Sequence, residues 1–172
     1  MANKVIDAIC TRVSCRNFDD RKVSLKKLNL ILEAGKMAPS GKNRQIANIT
    51  CVRTKSKVDK LRDLAKEVCN RECLYGATTI VLVHGPREDA FTVQDCSCIL
   101  ENIFIAANGL KVQSCWINQF DEVFETEKGK RIKARLGIPE DHQIVGSAAL
   151  GYSKDPSQLI IKKRKADFIT IK

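Results

Sequence analysis

The sequence predicts a mixed α/β layer structure, on three observations. Helical and strand-like stretches alternate along the chain in the order α-α-β-α-β-α-β-α-β-β. Residues 77–84 contain Thr-Thr-Ile-Val-Leu-Val, a continuous apolar and β-branched run expected of a strand covered on both faces. Residues 92–108 are nonpolar nearly all round a helix, through Ile99, Leu100, Ile103, Phe104, Ala106 and Ala107, and such a helix must be buried in a core or an interface.

Each element follows from its own residues. Residues 5–10 form a short helical pattern. Ser24 is an N-cap for a longer helix whose face is Leu25, Leu28, Ile31, Leu32 and Gly35, and Pro39 breaks it. Residues 46–52 alternate loosely as a strand. Residues 55–73 are strongly charged, with Val58, Leu61, Leu64, Ala65 and Val68 at helical spacing. Gly109 is read as the C-cap of the apolar helix. Residues 112–117 give a third strand, which holds the only tryptophan, Trp116. Residues 126–136 form a basic amphipathic helix ended by Gly137 and Pro139. Residues 143–152 give a fourth strand, and 166–171 a last one.

The chain has 172 residues, 44% apolar but only 5% aromatic, so one mainly aliphatic core is expected. No run approaches the roughly 20 apolar residues that span a bilayer. Met1-Ala2-Asn3-Lys4 leads into a helical pattern without a secretory segment, and a cytoplasmic chain with no membrane partner is expected. Thirty Lys and Arg against 20 Asp and Glu give a net charge of +10. That charge suits an anionic ligand; no nucleic-acid-binding motif accompanies it, which argues against nucleic acid. Eight cysteines without zinc spacing read as free thiols, and Cys10, Cys51, Cys98 and Cys115 are expected to be small core residues. No Gly-x-Gly-x-x-Gly follows a strand, and there is no Gly-x4-Gly-Lys-Ser/Thr loop.

Two segments carry chemistry. The first is Thr11-Arg12-Val13-Ser14-Cys15-Arg16-Asn17-Phe18. Arg12 and Arg16 can converge on one anion if the chain turns there, because a guanidinium meets phosphate bidentately; Ser14 adds a hydroxyl. A surface loop with two solvated arginines is the alternative. The second is Ala38-Pro39-Ser40-Gly41-Lys42-Asn43-Arg44-Gln45. Asn43 and Gln45 can read a heterocycle edge with alternating donors and acceptors, or the whole stretch is ordinary turn chemistry.

In order and spacing, Arg-x-Ser-x-Arg-x-Phe, a helix, then Ala-Pro-Ser-x-x-Asn-x-Gln resembles the nitroreductase family of FMN-dependent flavoproteins. Asp95, Asn102, Ala106-Ala107 and Gly109-Leu110 resemble that family's central helix, and Ser114-Cys115-Trp116-Ile117 the strand after it. Val145-Gly146 with Leu150-Gly151-Tyr152 resembles its late strand, and residues 162–165 its C-terminal cationic cluster. The resemblance implies one α+β sandwich domain over residues 1–172, with a central mixed sheet of four to five strands. It implies a homodimer with FMN in a groove between subunits.

By match, Arg12, Ser14 and Arg16 bind the phosphate and ribityl region, with Arg164 and Lys162 adding charge. Pro39, Ser40, Asn43 and Gln45 approach the ring from the other side, and Ile117, Asn118 and Gln119 line its face. The implied activity is an NADH- or NADPH-dependent oxidoreductase passing electrons through flavin N5 to a small nitroaromatic, quinone or enone acceptor, with no catalytic side chain and no metal. A flavin-binding sensor or carrier without turnover is the alternative, and a basic nucleic-acid-binding domain a more remote one. Val13 and Ile46-Ala47 depart from the family pattern, and the 75–93 stretch leaves little cover over the site. His84 and His142 are expected to be solvated, Trp116 to pack in a core or interface, and the basic stripe over 128–135 to be a helix's exposed face.

Overall fold

The computed structural model describes residues 3–164 and 169. Six helices are described: α1 (Lys4–Thr11), α2 (Leu25–Lys36), α3 (Lys55–Cys69), α4 (Thr92–Gly109), α5 (Phe120–Glu125) and α6 (Glu127–Arg135). Four strands are β1 (Asn48–Val52), β2 (Thr79–Pro86), β3 (Gln113–Ile117) and β4 (His142–Gly151). They form one sheet of order β1-β2-β4-β3, and each of its ladders is antiparallel. Among the described residues parallel pairing is confined to one bridge, Ser14 to Ser114, so the expected mixed sheet is there mixed only at its β3 edge. The strand expected over 166–171 falls largely outside the described residues.

The two-residue period of β2 sorts the core. Ile80 and Leu82 point into one cluster with α3 and α5 residues such as Leu61, Leu64, Phe120 and Phe124. Val81 and Val83 point into the other, with Leu28 and Ile31 of α2 and Leu100 and Ile103 of α4. The sheet is thus covered on both faces, as a continuous apolar strand requires. Gly35 lets α2 approach α4 closely: a Cβ there would lie 2.9 Å from the Ile103 side chain. A register shift between Val83 and His84 lies within the β2–β4 ladder.

Ser24 caps α2 by accepting from the Lys27 amide, as the sequence implies. Asn70 ends α3 in the left-handed region. Gly109 is instead the last helical residue of α4, and Leu110 closes it with its amide on the Ala106 and Ala107 carbonyls. Helix α5 was not expected. It is six residues long, too short to show a periodic pattern.

Three further expectations change, and one, for Trp116, is met in part. His84 and His142 are buried, 2% and 8% exposed, with their Nδ1 atoms 2.9 Å apart and Thr50 Oγ1 3.0 Å from His84 Nε2. Burial, with His142 and Lys133 adding positive field, pushes His84 down to about 4. Lys133 leaves the exposed stripe: its ammonium is buried and donates to the Glu140 and His142 carbonyls. Cys10 and Cys98 are exposed and Cys51 is half-buried, while Cys115 lies in the core. Trp116 packs against Phe104 at 5.9 Å yet stays 39% exposed.

Candidate functional site

The first motif is fixed by its neighbours on both sides. Asn108, near the end of α4, donates to the Ala8 carbonyl and the Thr11 hydroxyl and so fastens the C-terminal turn of α1. The chain then leaves the helix, with Arg12 extended at φ −63° and ψ 127°. The Cys15 amide bonds the Ser114 carbonyl at 2.9 Å, and the Phe18 amide bonds the Tyr75 carbonyl. Successive side chains of an extended segment alternate, so Arg12, Ser14 and Arg16 share a side while Cys15 turns into the core at 1% exposure. That burial removes Cys15 from reach of solvent oxidants.

Arg12, Ser14 and Arg16 line a cavity of about 880 Å³. Its opposite wall comes from the chain after β4. Lys154 donates its amide to the Asn17 carbonyl, and a 3-10 turn at Pro156–Gln158 is capped by Asp155. Lys162 and Arg164 then reach the same cavity, with Ile160 and Ile161. Among the described residues none of these four cations has an acidic partner within an ion-pair distance. Four cations and a hydroxyl on one cavity suit an anion, and an acid, Glu101 of α4, also lines the cavity.

The second motif is a tight loop. Lys42, Asn43 and Gln45 all have φ between 52° and 55°, a region that non-glycine residues rarely enter. The loop is fastened internally and to the start of α4. Ser40 Oγ accepts from the Gln45 amide at 3.0 Å, and Asn43 Oδ1 accepts from Gln45 Nε2 at 3.1 Å. Arg44 pairs with Asp89 at 2.7 Å and lies over the Phe91 ring. The Gly41 amide donates to Asp95 Oδ1 at 2.8 Å. Gly41 is required here, because a Cβ would sit 2.5 Å from the Phe91 ring.

Pro39, Ser40 and Gln45 line a second cavity, of about 460 Å³, with an apolar floor that includes Ala47, Ile49 and Ile99. The two cavities share no lining residue. Asn43 is exposed beside the second one. Ile117 is 2% exposed in the core, Asn118 is exposed and accepts from Trp116 Nε1, and neither lines either of these two cavities. The structure therefore gathers Arg12, Ser14, Arg16, Lys162 and Arg164 in one place and Pro39, Ser40 and Gln45 in another. Sequence reasoning did not foresee Glu101, Gln158 or the Gly41–Asp95 bond. The last spans 54 residues, and no local pattern signals it.

Among the described residues no helix is long and apolar enough to cross a membrane, and no cluster of His, Cys, Asp and Glu could hold a metal ion.

Known proteins are similar to this chain in sequence and in fold. A curated protein of Archaeoglobus fulgidus, provisionally named an NADH dehydrogenase/NAD(P)H nitroreductase, is 32% identical over 86% of this chain and 84% of its own. One from Methanothermobacter thermautotrophicus with the same name is 28% identical over 86% of this chain and 76% of its own. The crystal structure of a nitroreductase with bound FMN from Bacteroides fragilis superimposes with a TM-score of 0.93 at 33% identity, covering 99% of both chains. A Desulfitobacterium hafniense nitroreductase shares the fold at a TM-score of 0.88 and 24% identity, again over 99% of both chains. The sequence model described as the nitroreductase family matches residues 9–72 and 66–152, and the chain belongs to that family.

Proposed function

We propose that this chain is a single FMN-binding domain, acting as a cytoplasmic homodimeric NAD(P)H oxidoreductase that reduces a small organic acceptor. The observation that carries the reading is the cavity where Arg12, Ser14, Arg16, Lys162 and Arg164 converge. Its charge and hydroxyl suit a phosphate monoester, and its volume admits more than phosphate alone. The Bacteroides fragilis relative, with FMN bound and nearly the same fold, supports that ligand. The names of the two curated relatives support a nicotinamide donor.

The division of the site supports the dimer. Residues expected at the two ends of one flavin lie in two cavities of one chain, so a second copy would bring the 40–45 loop to the first copy's phosphate cavity. Exposed apolar side chains support such a contact: Val5 and Ile6 of α1 are 61% and 57% exposed, and Ile160 is 71% exposed. When bound, FMN supplies a two-electron carrier that accepts hydride at N5 from NADH or NADPH and yields it to a nitroaromatic, quinone or enone. The chain's own residues do the rest. Arg12, Arg16, Lys162 and Arg164 neutralise phosphate and Ser14 donates to it. Ser40 and Gln45 orient the ring from the partner copy, with Asn43 beside them and Asn118 near its face.

The ring side stays open to a small acceptor. β2 passes to α4 through the short 87–91 turn, with no inserted helix as cover. The test is direct. The purified protein should be yellow, release FMN on denaturation, sediment as a dimer, and bleach under anaerobic NADH or NADPH. A colourless protein that ignores added FMN sinks the reading; bound flavin that neither cofactor bleaches leaves a carrier or sensor.

A further inference from the structure

Four contacts tie the 40–45 loop to the start of α4, and they differ in kind. The Arg44–Asp89 pair and the Arg44–Phe91 stack use a side chain 42% exposed. The Gly41–Phe91 contact is a matter of space. The fourth is a hydrogen bond to a buried group: Asp95 is 4% exposed, and its Oδ1 accepts the Gly41 amide. Its other oxygen, Oδ2, is buried with no hydrogen-bond partner among the described residues. A carboxylate kept only for core stability would be a poor choice, since an unsatisfied buried oxygen costs free energy that an apolar side chain would not. Asp95 spends that cost on one backbone amide, next to Ser40.

We propose that Asp95 is a positioning residue: by holding the Gly41 amide from α4, it sets the backbone that presents Ser40 and Gln45 to the ligand. Three facts converge on this role. Asp95 lines the same cavity as Ser40 and Gln45. Three loop residues have positive φ, so the loop's conformation needs outside support. Ser40 Oγ is itself committed to the Gln45 amide, so a shift at Gly41 carries through to both side chains. The proposal rests on the FMN reading only in taking the loop to face the flavin ring.

The experiment compares Asp95→Ala and Asp95→Asn with the wild-type protein. The first readout needs no ligand: amide hydrogen exchange over residues 40–45. Asp95→Ala should speed it about tenfold or more, as expected for loss of one charge-assisted bond. The second is the visible circular dichroism of flavin at saturating FMN, which reports the ring's surroundings. Asp95→Ala should change that signal and weaken FMN binding about tenfold. Asp95→Asn keeps an acceptor oxygen and should restore both. Arg12→Ala serves as the contrast, lowering affinity with an unaltered ring signal at saturation.

Wild-type exchange and ring signal in Asp95→Ala overturn the proposal, as does an Asp95→Asn protein that behaves like Asp95→Ala. If Asp95→Ala does not fold, Asp95→Glu takes its place. It keeps the charge but displaces the acceptor, and an unchanged loop exchange in it overturns the proposal equally. A wild-type protein that binds no FMN defeats the functional reading, while the exchange arm still decides the role of Asp95.

Discussion

Arg12, Ser14 and Arg16 reach their cavity as side chains of one extended segment, whereas Ser40 and Gln45 reach theirs on a backbone held in rare dihedrals. The first region works by residue type. Any extended run with cations at alternate positions would aim them together, and the sheet-edge bridge at Ser14 keeps it extended. The second works by conformation, and its side chains are ordinary turn residues. Charge therefore dominates the one region and backbone geometry the other. Substitutions should separate them: removal of charge should cost ligand and spare the fold, and a change of backbone should disturb both.

The largest effect belongs to the cationic cavity. An Arg12→Ala, Arg16→Ala double variant loses two charged donors to one anion, about 3 kcal/mol together and on the order of a hundredfold in Kd for FMN. Neither side chain lies in the core or in an ion pair among the described residues, so the melting temperature should hold. A fluorescence titration and a thermal melt check both halves; normal FMN affinity would remove the phosphate assignment. In the loop, Gly41→Ala should behave differently. Its Cβ meets the Phe91 ring 2.5 Å away, so the loop or the ring must move, at about 2–3 kcal/mol of stability. Denaturant unfolding should show that loss together with an altered flavin signal.

This contrast explains what could be read in advance. The cationic region was legible only in part: Arg12 and Arg16 were expected to meet if the chain turned, whereas they reach one cavity from an extended segment, and Lys162 and Arg164 were joined to them by resemblance alone. β2 was legible because both faces of it are apolar. The 40–45 residues were legible only as a resemblance, since their grip comes from Asp95 and Asp89, 54 and 45 residues away in sequence. The histidines defeated the reading for a similar reason. His84 and His142 satisfy one another across 58 residues, and only the pairing of β2 with β4 brings them together.

That histidine pair provides a third region with which to test the other two. Burial holds His84 near 4 in the folded protein against an ordinary 6.5, and lowers His142 in the same direction. A depressed folded value means that stability is fully present above pH 6.5 and is lost as the pH falls toward 4. Between pH 6.5 and pH 5 the His84 contribution falls by about 2 kcal/mol, at about 1.4 kcal/mol per unit. Denaturant midpoints at the two pH values measure it, and His84→Asn should flatten the slope. A flat wild-type profile would contradict a neutral buried pair. FMN affinity, per molecule still folded, should not follow this slope, because neither histidine lines either of the two cavities described.

The smallest effect should come from Arg44. Its pair with Asp89 is short at 2.7 Å, and Asp89 is held below the usual carboxylate range by the Phe91 amide and by Arg44. Yet Arg44 is 42% exposed, and such pairs contribute little after solvent screening and side-chain entropy. Arg44→Gln should therefore cost less than about 1 kcal/mol, measured by denaturant unfolding, even with its position over Phe91 lost as well. It should leave the ring signal of bound flavin nearly intact. If Arg44→Gln instead matched Gly41→Ala in stability and signal, the loop would be held by its surface charge, and the division between a region of charge and a region of backbone would fail.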